Sequence, residues 1–172
     1  MQKLNSFWRI CQCNAAFLIT ALLVFTADQL SKLWIKSSLA LGESVFEIGF
    51  FRLTHVQNTG SSFGLFQNQN LILSIVAIAG ACIILFLVFF MRHRIQILNT
   101  IPGKIALGLI FGGTLGNLIN RLSFGYVIDF IDFNHWPAFN VADSSMVVGA
   151  ILLSYSLIRH TIHSESSDGK SV

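Results

Sequence analysis

LILSIVAIAGACIILFLVFFM, residues 71–91, contains no charged side chain and reads as one uninterrupted apolar helix. Crossing the ~30 Å hydrocarbon core of a bilayer takes about 20 such residues. Three further windows fit the same template: about 15–35, about 105–122 and about 144–158. The first is interrupted in its second half by Asp28 and Lys32, and the third is glycine-rich, IALGLIFGGTLGNLINRL. The whole chain agrees, with 172 residues of which 53% are hydrophobic and only 11% charged, against about 25% charged in soluble domains. The expectation is an all-α membrane protein, 1–172 as a single membrane domain of four transmembrane helices.

In the third window Gly108, Gly112, Gly113 and Gly116 recur on helical spacing. Small residues in that register let neighbouring helices approach closely, and packing is the simplest reading of Gly108 and Gly112. Cys11, Cys13 and Cys82 form no disulfide framework, and Cys82, inside an apolar run, is expected to pack as a small hydrophobe. A net charge of +3 without a basic, aromatic-interleaved stripe excludes nucleic acid as a partner.

Lys and Arg collect on the cytoplasmic side of membrane proteins. Lys3, Arg9, Arg92, Arg94, Lys104, Arg159 and Lys170 fall on one side, and Lys32, Lys36, Arg52 and Arg121 on the other. Both termini are therefore expected inside, with 37–70 and 123–143 facing out and 163–172 as a disordered polar tail. The first span resembles a signal peptide, but its length and polar end fit a retained anchor. SVFEIGFFRLTHV within 37–70 is rich in Phe, Val and Ile and predicts short strands, a β-containing outward-facing cradle or lid. Phe46, Phe50 and Phe51 equally suit a bilayer surface.

The outward end also collects the polar residues. Asp28 and Lys32 stand at i and i+4, as do Asn117 and Arg121, with Asn120 beside them. Asn58 lies in QNTGSSFG, and Asp129, Asp132, Asn140 and Asp143 lie in 123–143. Ionisable groups at membrane depth pair, face a polar cavity or do chemistry. Asp28–Lys32 reads as a structural ion pair or a functional one, and Arg121 as a snorkelling or a site residue. Asp132 and His135 read as solvated loop residues. Asp143 opens an apolar helix and suits a cap. Beside a second carboxylate it also suits acid–base work, because two carboxyls sharing a site cannot both ionise easily. If GYVIDFIDF is a strand, Asp129 and Asp132 point to opposite faces, so only one can serve. The scattered histidines give no zinc site, and no HExxH, GxSxG or Walker loop is present. An ion-conducting protein would carry polar groups through the full membrane depth, whereas residues 71–91 hold only Ser74 and Cys82. A structural adaptor would leave Asp129 and Asp143 replaceable.

Five segments in order, DQLSK at 28–32, NTGSSF at 58–63, GNLINR at 116–121, VIDF at 127–130 and FNVADS at 139–144, resemble the lipoprotein signal peptidase (signal peptidase II) family of bacterial membrane aspartic proteases. The resemblance covers about residues 20–155. It implies Asp129 and Asp143 as the catalytic pair, in preference to Asp132. Asn58, Gly60, Asn117, Arg121, Asn140 and Ala142 then line or support the site, and Asp28 and Lys32 match a further motif near it. The implied activity is cleavage of signal peptides from diacylglyceryl-modified prolipoproteins just before the lipidated cysteine, without metal or cofactor. Implied besides are membrane lipids and globomycin-type inhibitors as partners, a monomer, and a bacterial cytoplasmic (inner) membrane location with the active site on the outer face. The chain departs from the family at Ser61-Ser62, commonly Ala-Ala, and at Asn120, commonly Asp. Both alter pocket polarity and bear on substrate preference and inhibitor strength.

Overall fold

The computed structural model describes the backbone of residues 2–60, 69–91 and 94–168, and side chains within 14–60, 69–91 and 94–162. Its elements run α1 (Gln2–Ser38), β1 (Ser44–Ile48), β2 (Phe51–Asn58), α2 (Asn70–Phe89), a 3-10 turn (Gln96–Asn99), α3 (Ile101–Phe124), β3 (Val127–Asp132) and α4 (Val141–Asp168). Among the described residues four helices are long and apolar enough to cross a membrane: Asn14–Ser38, Asn70–Phe89, Ile101–Phe124 and Val141–Ile162. α3 and α4 start three to four residues before the apolar windows read from sequence, because each opens on a polar cap. Thr100 accepts the Gly103 N–H at 3.2 Å, with Pro102 in the first turn. α4 continues to Asp168, into the stretch expected as a tail, whose last residues, 169–172, lie outside the described residues.

α3 is the central post, packed by α1, α2 and α4. Its glycines account for the closeness. A Cβ on Gly108 would stand 2.8 Å from the Phe17 carbonyl oxygen of α1, and one on Gly112 would stand 2.6 Å from that of Ala21. On the other face a Cβ on Gly113 would meet the Ala142 carbonyl oxygen of α4 at 2.5 Å. Helix backbones thus touch on both sides of α3, and van der Waals contact replaces the hydrophobic effect that lipid does not supply. The opposite faces carry exposed Leu18, Leu22, Leu23, Ile72, Ile75, Val147 and Ile151, as lipid-facing surfaces do. Cys82 lies on such an exposed face of α2 rather than packed inside.

Two apolar clusters close the ends. Phe17, Ile84, Val88, Ile97, Leu98 and Leu107 pack at the end away from the sheet. There Lys104, fully buried, donates from Nζ to the Val88 carbonyl at 3.0 Å and covers the C-terminal end of α2. At the other end Ile35, Leu39, Ile128 and Phe130 join the helices to the sheet.

The sheet is antiparallel in the order β1-β2-β3. β2 and β3 pair Arg52 with Asp132, Leu53 with Ile131 and Val56 with Asp129, so β2 carries an extra residue between Leu53 and Val56. His55, within that bulge, donates from Nδ1 to the Leu39 carbonyl at 2.9 Å and ties the sheet to the end of α1. Asp132 proves to be a strand residue, not a solvated loop residue. It is buried and takes a 2.8 Å hydrogen bond from Arg52 Nε, because the register sets the two directly opposite. Phe46 and Phe50 are exposed, and Phe51 packs on Phe133 with ring centroids 5.4 Å apart.

Valine at Gly112 would force α1 and α3 apart at a cost of about 1–3 kcal/mol. The expected result is a lower unfolding midpoint in detergent, while Ile75→Val on the lipid-facing side leaves the midpoint nearly unchanged.

Candidate active site

The site lies where the sheet end of the bundle meets the start of α4. Asn140 is the N-cap of that helix, its carbonyl taking the Ser144 N–H at 3.1 Å. Its side-chain oxygen accepts the Asp143 N–H at 3.0 Å, and Asp143 Oδ2 accepts the Asn140 N–H at 3.3 Å. This reciprocal pair is a capping box with aspartate in the third helical position. The box orients Asp143 toward α3, where Asn117 Nδ2 donates to Oδ1 at 2.7 Å.

Asp129 arrives from β3. Gly125, in the left-handed conformation at φ +79°, ends α3 and turns the chain into the strand. Asn140 Nδ2 donates to Asp129 Oδ1 at 2.6 Å and Asn58 Nδ2 to Oδ2 at 2.9 Å. Asn58 is itself held by an Asx turn, its oxygen accepting the Gly60 N–H at 2.9 Å. Asn140 therefore touches both carboxylates, one through its side chain and one through its backbone. Asp132, three residues on, points away to Arg52.

Behind this pair lies a second layer. Asp28 and Lys32 form an ion pair at 2.8 Å with side chains 0% and 1% exposed. Lys32 Nζ also donates to Asn117 Oδ1 at 2.8 Å. An ammonium can only donate, so Asn117 must turn its oxygen to Lys32 and its NH₂ to Asp143. The other Asp28 oxygen accepts the Ala142 N–H at 2.9 Å, in the first turn of α4. Gln29 donates to Asp28 and to the Gly116 carbonyl, and accepts from Asn120 at 3.3 Å. Asn120 thus donates to Gln29 of α1 rather than to either of the two carboxylates. Ser61 and Ser62 lie outside the described residues.

Asp143, Asn117 and Arg121 sit on the wall of a cavity of about 390 Å³ between α2, α3 and α4. The remaining wall is Leu73, Val76, Ala77 and Gly80 of α2, Thr114 of α3 and Met146 of α4. The structure thus brings Asp129, Asp143, Asn58, Asn117, Asn140, Asp28, Lys32 and Ala142 into one connected network, with Gly60 and Arg121 at its margins. Gln29 and the α2 wall were not singled out in the sequence. Their apolar spacing on α2 is the same whether a face meets lipid or a cavity.

The model of the family Peptidase_A8, signal peptidase (SPase) II, matches residues 20–159. The chain belongs to the signal peptidase II family. Lipoprotein signal peptidases of this family from Dehalococcoides mccartyi and Moorella thermoacetica are 44% and 43% identical to it, over 84% and 83% of this chain and 91% and 92% of theirs. The fold agrees with the family's membrane character. Two solved structures, each described as that of a bacterial membrane enzyme, are similar at TM-scores of 0.78 and 0.73 and 29% identity. They match 86% and 83% of this chain and 90% and 92% of their own. The protein is accordingly a multi-pass membrane peptidase.

Burial, then the negative charge of Asp143, raises the Asp129 carboxyl from an ordinary 3.8 to about 7, against the hydrogen bonds from Asn58 and Asn140. A carboxyl raised on folding favours the folded state most fully below its unfolded value. That contribution declines from there and is lost as pH rises through about 7. Asp129→Asn should therefore flatten the pH dependence of thermal stability between about 4 and 7 and unfold later than wild type above that range. Lys32→Met leaves Asp28 buried and unpaired and is expected to cost about 3–5 kcal/mol. The double variant Asp28→Leu/Lys32→Met should recover part of that loss, as measured by a double-mutant cycle.

Proposed function

We propose that the protein removes signal peptides from diacylglyceryl-modified prolipoproteins, cutting just before the lipidated cysteine, with Asp129 and Asp143 as the catalytic pair. The observation that carries this reading is a pair of carboxylates joined through Asn140, one of which, Asp143, lies on the wall of a largely apolar cavity between membrane-length helices. Among the described residues the surroundings hold three carboxylates, Asp28, Asp129 and Asp143, against two cations, Lys32 and Arg121. One proton held by the pair brings the group to neutrality, the state a low-dielectric setting favours.

The chemistry follows from that proton. The ionised carboxylate takes a proton from water as its oxygen attacks the scissile carbonyl carbon, and the protonated one gives its proton to the carbonyl oxygen. The tetrahedral intermediate carries two hydroxyls. When the C–N bond breaks, the leaving nitrogen takes a proton from the pair and one hydroxyl returns its own. The products are the free amine of the cysteine and a new carboxyl on the signal peptide, and the pair again holds one proton. Neither a metal nor a covalent intermediate enters.

Arg121 and Asn117 share the cavity wall with Asp143 and suit the peptide carbonyls flanking the cut. The lipid anchor explains the location, since a diacylglyceryl group keeps the bond at the outer surface of the bilayer. The Lys and Arg distribution supports a cytoplasmic-membrane protein with both termini inside and the site on the outer face. The outward segment 37–70, of which 61–68 lie outside the described residues, is assigned the closing of the site over the bound chain as a lid, and globomycin-type cyclic peptides are expected in the same cavity. Locking 37–70 to the helices with an engineered disulfide should lower turnover; undiminished turnover would remove the lid role.

The test uses purified protein in liposomes with a diacylglyceryl-modified prolipoprotein and a chelator present. Asp129→Asn and Asp143→Asn should each lose at least about a hundredfold in kcat, while wild type and Asp132→Asn cut. For wild type, kcat/KM should fall as pH rises through about 7, as the Asp129 carboxyl gives up its proton. Equal cleavage by all four proteins would dispose of the pair.

A further inference from the structure

Seven glycines lie within α2, α3 and α4, at positions 80, 103, 108, 112, 113, 116 and 149; Gly103 fits against the Ile97 carbonyl beside the Thr100 cap, and five of the others share one use. A Cβ on Gly108, Gly112, Gly113, Gly116 or Gly149 would stand 2.5–2.8 Å from an atom of a neighbouring helix. Gly80 differs, because a Cβ there would meet nothing within 4 Å. Its missing side chain serves no helix contact. It adds instead to the cavity beside Asp143, whose α2 wall is Leu73, Val76, Ala77 and Gly80, one helical face at i, i+3, i+4 and i+7.

The depth of the hollow follows from the helices. Asn70 Nδ2 donates to the Arg121 carbonyl at 3.1 Å, which sets the start of α2 level with the end of α3. Gly80 then lies about 15 Å further along the bundle at 1.5 Å per residue, below the polar groups of the site. Among the described residues, those lining the deep part offer no free donor. The Thr114 hydroxyl is turned back onto the Ile110 carbonyl at 2.8 Å and lies 3.6 Å from the Met146 sulfur. The rest is aliphatic, with a methionine able to adapt to what enters.

We infer that this hollow is an aliphatic subsite whose depth is set by Gly80, holding a saturated hydrocarbon chain of the substrate while its polar end lies at Asp143. The inference rests on the cleavage reading above and adds the residue that measures the guest. Two parts of a lipidated precursor share the required chemistry: an acyl chain of the diacylglyceryl group and a branched side chain of the signal peptide near the cut. A Cβ at 80 meets nothing within 4 Å, so a side chain added there starts in open space on the cavity wall and shortens the subsite.

The experiment compares wild type, Gly80→Ala and Gly80→Leu on two matched substrate pairs. One pair keeps the peptide and exchanges palmitoyl for octanoyl chains. The other keeps the lipid and exchanges leucine for alanine near the cut. The expected result is a loss in kcat/KM of at least about tenfold for Gly80→Leu on the larger member of one pair, carried by KM and relieved by the smaller member, with Gly80→Ala between. The pair that shows the relief identifies the guest. Equal losses on all four substrates, or no loss on any, would overturn the subsite while wild-type turnover keeps the cleavage reading. If Gly80→Leu does not fold, a flat response of Gly80→Ala across both pairs overturns it equally. A wild type that cuts none of the four overturns the cleavage reading and the subsite with it.

Discussion

The buried ion pair between Asp28 and Lys32 is the interaction on which the sheet end of the molecule depends. Asp28 holds three elements at once: its own helix through Lys32, α4 through the Ala142 N–H, and α3 through the glycine that lets it approach. A Cβ on Gly116 would stand 2.5 Å from Asp28 Oδ2, so the absent side chain at 116 is the space that the carboxylate occupies. An anion at the first turn of a helix is favourably placed against the helix dipole. Lys32 then compensates the buried charge and orients Asn117. Every hydrogen bond reaching Asp143 from α3 passes through that orientation.

From this anchor the proposed chemistry becomes a matter of charge count in a largely buried place. Amide groups from Asn58, Asn117 and Asn140 turn donors toward Asp129 and Asp143 without adding net charge. Lys32 and Arg121 supply the positive charge. The donors favour the ionised form of each carboxylate while burial and the neighbouring negative charge favour the protonated form of Asp129, and this opposition suits a reaction that moves protons in both directions.

Much of this was legible in the sequence, for physical reasons. The span at 71–91 had no competing reading, because no soluble element needs so long a run without charge. The i, i+4 spacing of Asp28 and Lys32 foretold a pair, since a helix sets them on one face. What periodicity could not give was direction in space. Nothing in VIDFID says that Asp132 turns to Arg52, because that depends on a register fixed by an extra residue in β2. The apolar face of α2 that lines the cavity has the same spacing as its lipid-facing side. Cys82 was misplaced for the same reason, since lipid and protein interior demand the same chemistry of a helix. The helix starts came early because caps are polar and hydropathy alone does not include them.

The capping box at α4 has a consequence for how the protein can vary. Asp143 is at once the third residue of a helix start and a member of the proposed pair, and Asn140 is both the cap and the bridge to Asp129. A folding signal and a chemical group therefore occupy the same atoms. Alanine at either position would strip the helix of its beginning along with the site of its donor or acceptor, so a change that removes the polar group cannot touch one without the other. Asparagine at 143 retains an oxygen for the box, which separates the two inheritances.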